Sequence, residues 1–526
     1  MRKSASGYFN APSRRAVLAG LAATPLVSFA GAAALRPVRV RIDDDVQVLD
    51  PAFQAGGAEE VVNRAVLMTL TRLAPGGGWK PYAAQQIRAR DARTIAFTLR
   101  PDLFWSNGFG SLTAEDVKFS FERIADPKQN SPWYYVWSAL DRVEVTGAQS
   151  GVIHLRRDYS PIWLSALPSW AGHIVCKRAV LAMGGRYAAR VPACCGPYII
   201  GEWLPKRRIR LAPNPAWRGA PPPLSNIDLV VVEDTGAAEL AFEAGELDIT
   251  DIDMLSVARY RKSRPPGARL VQPRGSGFTW LGMNVENPKL RDIRVRRAIQ
   301  YAVDVDAILY AAYGGALPRA TGLIPPGLLG ARTRNLIAHR DPEKSRALLR
   351  AAGQAQGLSL TLTVINTSFW LTMAQIIQDN LRDVGVAVEI LDYDPSVFWS
   401  LGVASPDKRW RDIELKLMTI PGGQDPSEFT IWFTSEQIGQ YNWERLSDPV
   451  IDRMNAQAVA ISDPTQRAAL YRAIQDRLEE SGAFLFIAND ARPYLLAQGY
   501  DLGFAGDDML RPDLIRRLPL AKPAAM

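Results

Sequence analysis

The sequence predicts a large α/β protein of two or three domains, and three observations carry that prediction. The chain has 526 residues, 47% of them hydrophobic, which exceeds what one typical domain core needs. Residues 358–391 read as strand, helix, strand. Residues 94–127 read as strand, turn and capped helix.

In the first of these units, 358–365 (LSLTLTVI) alternates as a strand, 370–384 (WLTMAQIIQDNLRDV) is an amphipathic helix that Gly385 stops, and 386–391 is a second strand. A helix crossing between two strands implies that they run parallel. In the second unit Ile95, Phe97 and Leu99 alternate with Thr94, Ala96 and Thr98, the pattern of a half-buried strand. Pro101, Asn107, Gly108 and Gly110 end it. Thr113 then precedes Glu115 and Asp116, an N-cap with carboxylates in the first turn, and Val117, Phe119, Phe121 and Ile124 mark the apolar side of the helix. Further helices are expected over 237–243, 293–310, 341–352 and 463–480. In the last two, Asp341-Pro342 and Asp463-Pro464 set an Asp cap before a first-turn proline. Residues 213–223 (PNPAWRGAPPP) form a proline-rich connector between strand-like segments.

The first 34 residues read as a targeting segment. Ser13-Arg14-Arg15-Ala16-Val17-Leu18 resembles the twin-arginine export motif, and the apolar run after it is short and broken by Pro25. No cysteine ends that run, so a lipid anchor is not indicated and a free periplasmic protein is expected. Losing its four cations would take the net charge from +8 to +4, so no nucleic-acid or membrane-surface partner is called for. Arg294, Arg296 and Arg297 are read as a solvated helix face. In an oxidising compartment Cys176 is expected to bridge either Cys194 or Cys195, closing a loop of about 18 residues worth about 3 kcal/mol and leaving one thiol over.

Motifs for chemistry are sparse. His154, His173 and His339 show no metal-ligand spacing, and the chain has no nucleophile elbow, phosphate loop or dinucleotide fingerprint. No catalytic residue, metal or cofactor is expected. The aromatic clusters stand out instead: Trp133-Tyr134-Tyr135-Val136-Trp137, Phe278-Thr279-Trp280 and Phe369-Trp370, each able to serve as core or as a stacking face.

Ordered blocks then give a resemblance. Leu49-Asp50-Pro51; residues 98–127; Gly196-Pro197-Tyr198 with Asn214-Pro215-Ala216-Trp217; residues 243–248 (EAGELD); residues 292–304 (DIRVRRAIQYAVD); and Asp341-Pro342-Glu343-Lys344 with Ala352-Gly353 all resemble blocks of one family. It is the peptide/nickel-type extracellular solute-binding family 5, relatives of the dipeptide- and oligopeptide-binding proteins of ABC importers. The resemblance implies a two-lobed clamshell, the type II periplasmic-binding-protein fold of the peptide-binding cluster. Lobe I would take 37–272 and 488–526, with an extra subdomain at about 75–190, and lobe II would take 273–487. A small molecule or short peptide would be held between the lobes of a monomer and delivered to a permease with its ATPases.

The implied ligand-facing set comprises Gly56, Trp133, Tyr134, Phe278, Trp280, Trp370, Lys416, Thr419, Gly422 and Asp425. Its departures from the family carry the specificity argument. Peptide binders place a tryptophan and an ammonium-holding aspartate where this chain has Thr419 and Gly422. Asp425 is a nearby substitute, and Lys416 falls where some oligopeptide binders have an arginine for the peptide carboxylate. The expected ligand is less cationic at one end than a free peptide: a blocked or modified peptide, an opine-like conjugate, a glycoside or a metal chelate. A periplasmic chaperone or sensor on the same fold is the competing reading.

Overall fold

Three β-sheets organise the chain in the computed structural model, which describes residues 36–54, 56–74, 78–273, 275–406, 408–503 and 509–519, apart from the side chain of Ser396. The export segment lies outside the described residues.

A seven-stranded mixed sheet is built in the order Tyr198–Leu204, Arg208–Pro213, Ile227–Val231, Val38–Ile42, Ile249–Asp251, Tyr494–Leu496 and Arg269–Val271. Val38–Ile42 lies parallel to Ile227–Val231 and to Ile249–Asp251, so the first described strand sits mid-sheet. A five-stranded sheet runs Val386–Tyr393, Leu358–Ile365, Leu415–Pro421, Gly277–Met283 and Phe484–Ala488. These two sheets are the frames of the two lobes. A four-stranded antiparallel sheet, Ala84–Asp91, Thr94–Leu99, Ser150–Leu155 and Leu140–Gly147, shares a continuous core with the seven-stranded sheet.

The predicted crossover is present. Leu358–Ile365 pairs in parallel with Val386–Tyr393, Leu358 opposite Val386, and helix Ser368–Arg382 returns the chain between them. Its Met373, Ala374, Ile377 and Leu381 are buried at the spacing that puts one helical stripe on a sheet. In the strand Thr94–Leu99, Ile95, Phe97 and Leu99 are buried. Thr113 caps helix Ala114–Ala125, and Asp116 Oδ2 accepts from the Thr113 amide at 2.9 Å, a capping box. The family-like blocks are fastened together inside: Asp50 accepts from the Arg123 guanidinium and from the Ala52 amide at 3.2 Å, fully buried.

Three expectations are corrected. The helix expected over 293–310 is two, Ile293–Ala302 and Val305–Tyr313. Asp304 accepts from the Ala307 amide at 3.0 Å, and this cap restarts the chain in a new direction. Arg296 is not solvated. It is buried and donates to the carbonyls of Leu290 (2.6 Å), Arg291 (2.8 Å) and Ser481 (2.7 Å), tying the helix start to the turn after the distant helix that ends at Glu480. Cys176, Cys194 and Cys195 are free thiols packed in the core, and burial pushes the Cys194 thiol up to about 12, so they act as small apolar side chains.

Among the described residues no helix is long and apolar enough to cross a membrane.

Candidate functional site

Among the described residues, contacts on two sides join the part built on the seven-stranded sheet to the part built on the five-stranded sheet. On one side lie the crossing strands, where the amide of Asp490 donates to Gly277 O at 2.9 Å and Gln272 Nε2 donates to Ala316 O at 3.2 Å. On the other side residues 131–170 of the first lobe face residues 424–461 of the second. There Ser160 donates through its amide to Val459 O (2.7 Å) and through its hydroxyl to Ile461 O (2.6 Å).

The second contact is lined with rings. Trp133 is half-buried, its indole donating to Gln54 O at 2.8 Å and packing edge-on to Trp170 at 5.1 Å between centroids. Tyr134 and Tyr135 begin the short helix Tyr134–Trp137 and stay exposed, Tyr135 by 50%. From the facing lobe Trp432 comes edge-on to Tyr135 at 6.4 Å and to Tyr441 at 4.7 Å. Tyr441 borders a cavity of about 260 Å³ shared with Trp399, Val403, Gln440 and Trp443.

Glu428 lies at this contact. It belongs to the single-turn helix Ser427–Thr430, and its main-chain carbonyl accepts the Trp432 indole at 2.6 Å one turn on. Its Oε2 accepts the amides of Gln424 (3.0 Å) and Asp425 (3.1 Å), whereas Oε1 takes no hydrogen bond among the described residues. The carboxyl rests against Gly423, where any Cβ would collide with it. Burial, reinforced by neighbouring Asp425, lifts its pKa from 4.5 to about 7. Ser165 of the first lobe, buried and without a hydrogen-bond partner, stands close enough to lower it in part. Tyr135 and Tyr159 feel Glu428 in turn: burial first, and its charge second or third, hold their phenols well above the ordinary range.

The predicted residues divide. Gly56 caps helix Gly57–Val66, Trp133 packs against the core shared with the seven-stranded sheet, and Tyr134 stays exposed. Asp425 is fully buried and spent on Arg467, whose Nη2 lies 2.9 and 3.0 Å from its two oxygens. Lys416 is also fully buried, 3.0 Å from Glu444 Oε1 and over the rings of Trp280 and Trp443. It therefore offers no charge to the space between the lobes, and burial lowers its pKa to about 8. Trp280 donates its indole to Glu444 at 2.7 Å and stacks on Phe278, both inside the core formed with Phe429 and Phe433. Trp370 is half-buried between the two cores of its lobe. Thr419 donates to Asp490 Oδ2 at 3.0 Å, a half-buried carboxyl that also holds Thr279. At Gly422 a Cβ would overlap the Phe429 ring and come within 2.6 Å of Ser276 O. An aromatic ring thus fills the space an aspartate would need.

Comparison with known proteins fits this architecture. Residues 79–441 match the family model of the bacterial extracellular solute-binding proteins, family 5, middle region. The chain belongs to that family. It is 25% identical over 440 residues to the nickel-binding periplasmic protein of Escherichia coli K12, covering 80% of this chain and 82% of that one. It is 24% identical over 472 residues to the glutathione-binding protein GsiB of Escherichia coli O157:H7, covering 88% and 90%. The fold matches the ABC transporter substrate-binding protein CtaP of Listeria monocytogenes with a TM-score of 0.80 at 20% identity, over 92% and 99% of the chains. It matches NikA of Brucella suis, solved with Fe(III)-EDTA, with a TM-score of 0.80 at 21% identity, over 92% and 100%. The α/β clamshell class expected from the sequence is therefore the fold of this protein, and its relatives are binding proteins of transport systems.

Sequence reasoning missed Glu428, Trp432, Tyr441, Trp170 and Asp490 and left Tyr135 unassigned. One signal was present: Glu428 and Trp432 stand four residues apart after Asp425-Pro426, a spacing that shares a helical face.

Proposed function

We propose that this chain is the periplasmic solute-binding component of an ABC importer, closing on a peptide or peptide-like small molecule and presenting the closed form to a membrane permease and its ATPases. The observation that carries the reading is Tyr135 meeting Trp432 edge-on at 6.4 Å beside the half-buried Glu428, so that both lobes contribute to one recessed surface. A ligand bound there bridges the lobes and shifts the population toward the closed state by its differential affinity. Export by the twin-arginine route, a monomeric state and lobe boundaries at 37–272 with 488–526 and at 273–487 belong to the same reading. Gly56, Trp133 and Tyr134 would supply the first lobe's share.

The Phe429 ring, filling the space that an aspartate at position 422 would need, favours a ligand that is not held there by a peptide's free ammonium. A modified peptide, an opine-like conjugate or a metal chelate meets that condition.

Native mass spectrometry of protein taken from the periplasm tests the reading. A copurifying small molecule, whose readdition at a hundredfold excess over its Kd stabilises the protein by about 2.7 kcal/mol, is the expected result. Absence of any such molecule, together with unchanged solute uptake in a deletion strain, would count against it.

A further inference from the structure

We propose that Glu428 and the rings of Tyr135 and Trp432 form a subsite for a cationic nitrogen of the ligand, a primary or quaternary ammonium, displaced from the position where peptide binders hold theirs. The inference rests on the proposed binding function and specifies its chemistry.

Consider how the buried acids of this region are neutralised. Asp425 has Arg467 at 2.9 Å and Glu444 has Lys416 at 3.0 Å. Glu428 has no cation among the described residues, although it lies between them in sequence and is half-buried. Even a half-buried carboxylate without a counter-charge is costly to keep, and the fold has gone to some length to seat this one. Gly423 leaves room for it, two amides turn toward Oε2, and Oε1 remains an open acceptor. Ser165, with a buried and unpartnered hydroxyl, closes the seat from the opposite lobe.

The walls suit the same guest. Tyr135 and Trp432 present π faces and edges across the lobe contact, and Tyr441 continues the aromatic surface from Trp432 at 4.7 Å. A desolvated ammonium gains from an aromatic face and a carboxylate together, which is how rings and an acid select cations over neutral groups. An anionic group would meet Glu428 and Asp425 and gain nothing. The other titratable groups facing the carboxyl are the phenols of Tyr135 and Tyr159, with Arg157 over the Tyr159 ring at 5.0 Å and Arg467 held by Asp425. Burial holds the phenols of Tyr135 and Tyr159 protonated through pH 6 to 8, so Glu428 governs the local charge in that window.

The test is a thermal-shift and calorimetric titration of the full mature chain with phenethylamine, Nα-acetyl-lysine amide and the tripeptide Ala-Phe-Ala, each at millimolar concentration, with 2-phenylethanol as the neutral control. At least one cationic probe is expected to bind, more tightly at pH 8 than at pH 6, while 2-phenylethanol does not. Acetyl-lysine amide and the tripeptide distinguish a side-chain amine from a terminal one. E428Q should lose about ten- to hundredfold in affinity for the probe that binds, and E436Q, in the neighbouring short helix, should lose none. The proposal is overturned if no cationic probe binds, or if E428Q binds as the native protein does. A copurified ligand that E428Q still retains would sink this inference and leave the binding function standing. Absence of any small ligand in either protein, together with unchanged solute uptake in a deletion strain, would remove the function itself.

Discussion

Glu444 and Glu428 are two acids sixteen positions apart in sequence, one fully buried and paired with a lysine, the other half-buried and without a cation among the described residues. Glu444 lies under Lys416 and Trp280, fully buried and internally neutralised, with Gly282 making room for the pair. Glu428 has hydrogen bonds, rings and a facing lobe, but no cation. The first arrangement is complete as it stands and gives the lobe a fixed interior. The second lacks one component, and a component missing at a lobe contact is what a binding protein supplies from outside. The lesson bears on Lys416, a position that looks like a ligand anchor from its place in the chain. Burial decides otherwise, because its charge is consumed before any ligand arrives.

The largest expected effect lies at the completed pair. E444A would leave the Lys416 ammonium buried without its partner, which costs about 3–5 kcal/mol in denaturant-unfolding free energy. The double change K416M/E444Q should recover most of that loss, since an uncharged pair of similar volume avoids desolvating two charges and the glutamine oxygen can still accept the Trp280 indole. If E444A costs no more than a surface change, the pair is solvated and the contrast with Glu428 loses its basis. The depressed pKa of Lys416 adds a pH signature. Its unfolded value is 10.5 and its folded value about 8, so the folded state binds fewer protons between them, and this group's contribution makes stability rise with pH across that window. K416M should abolish that rise.

A smaller effect is expected at Gly422. Introducing an aspartate there, as peptide binders have, places a side chain against the Phe429 ring. Overpacking of this kind costs about 1–3 kcal/mol. G422D/F429A relieves that clash but removes a fully buried ring, which itself costs about 3–5 kcal/mol, so its readout is affinity: free tripeptides should bind more tightly if the lost ammonium site is rebuilt. A stable G422D single variant would show that Phe429 moves aside readily and that the glycine is incidental.

How far these contrasts could be read in advance depends on the range of the interactions. The crossover at Leu358–Tyr393 and the strand Thr94–Leu99 were legible because alternation, caps and glycines act within a few residues. The six family-like blocks supplied the clamshell for a similar reason, since each is a short string. The break at Asp304 was missed because a polar residue inside an amphipathic pattern reads equally well as a helix face or a cap. The role of Arg296 was invisible because its acceptor Ser481 comes from a distant segment. At the candidate site, sequence could notice that an aspartate was absent at Gly422. It could not show that Asp425 belongs to Arg467, or that Tyr135 faces Glu428, because both facts arise only when remote segments are packed together.

The smallest effect is the most direct measure of the unfilled position. Burial raises the Glu428 pKa from 4.5 to about 7. The folded state therefore holds a proton that the unfolded state releases, and on this group's account stability falls as pH rises from about 4.5 to about 7 and is level above. E428Q removes the group, so the variant should match the native protein near pH 4 and melt above it from pH 7 upward. Because the residue is only half-buried, solvent screening trims the gain to about 1 °C in Tm for a chain of this size. The same substitution is expected to weaken binding of a cationic probe. A change that stabilises the empty protein while weakening its complex is the behaviour of a residue kept for a ligand, whereas a residue kept for the fold loses stability when it is removed. A melting curve for E428Q that falls below the native one at pH 8 would place Glu428 with Glu444, as one more charge neutralised from within.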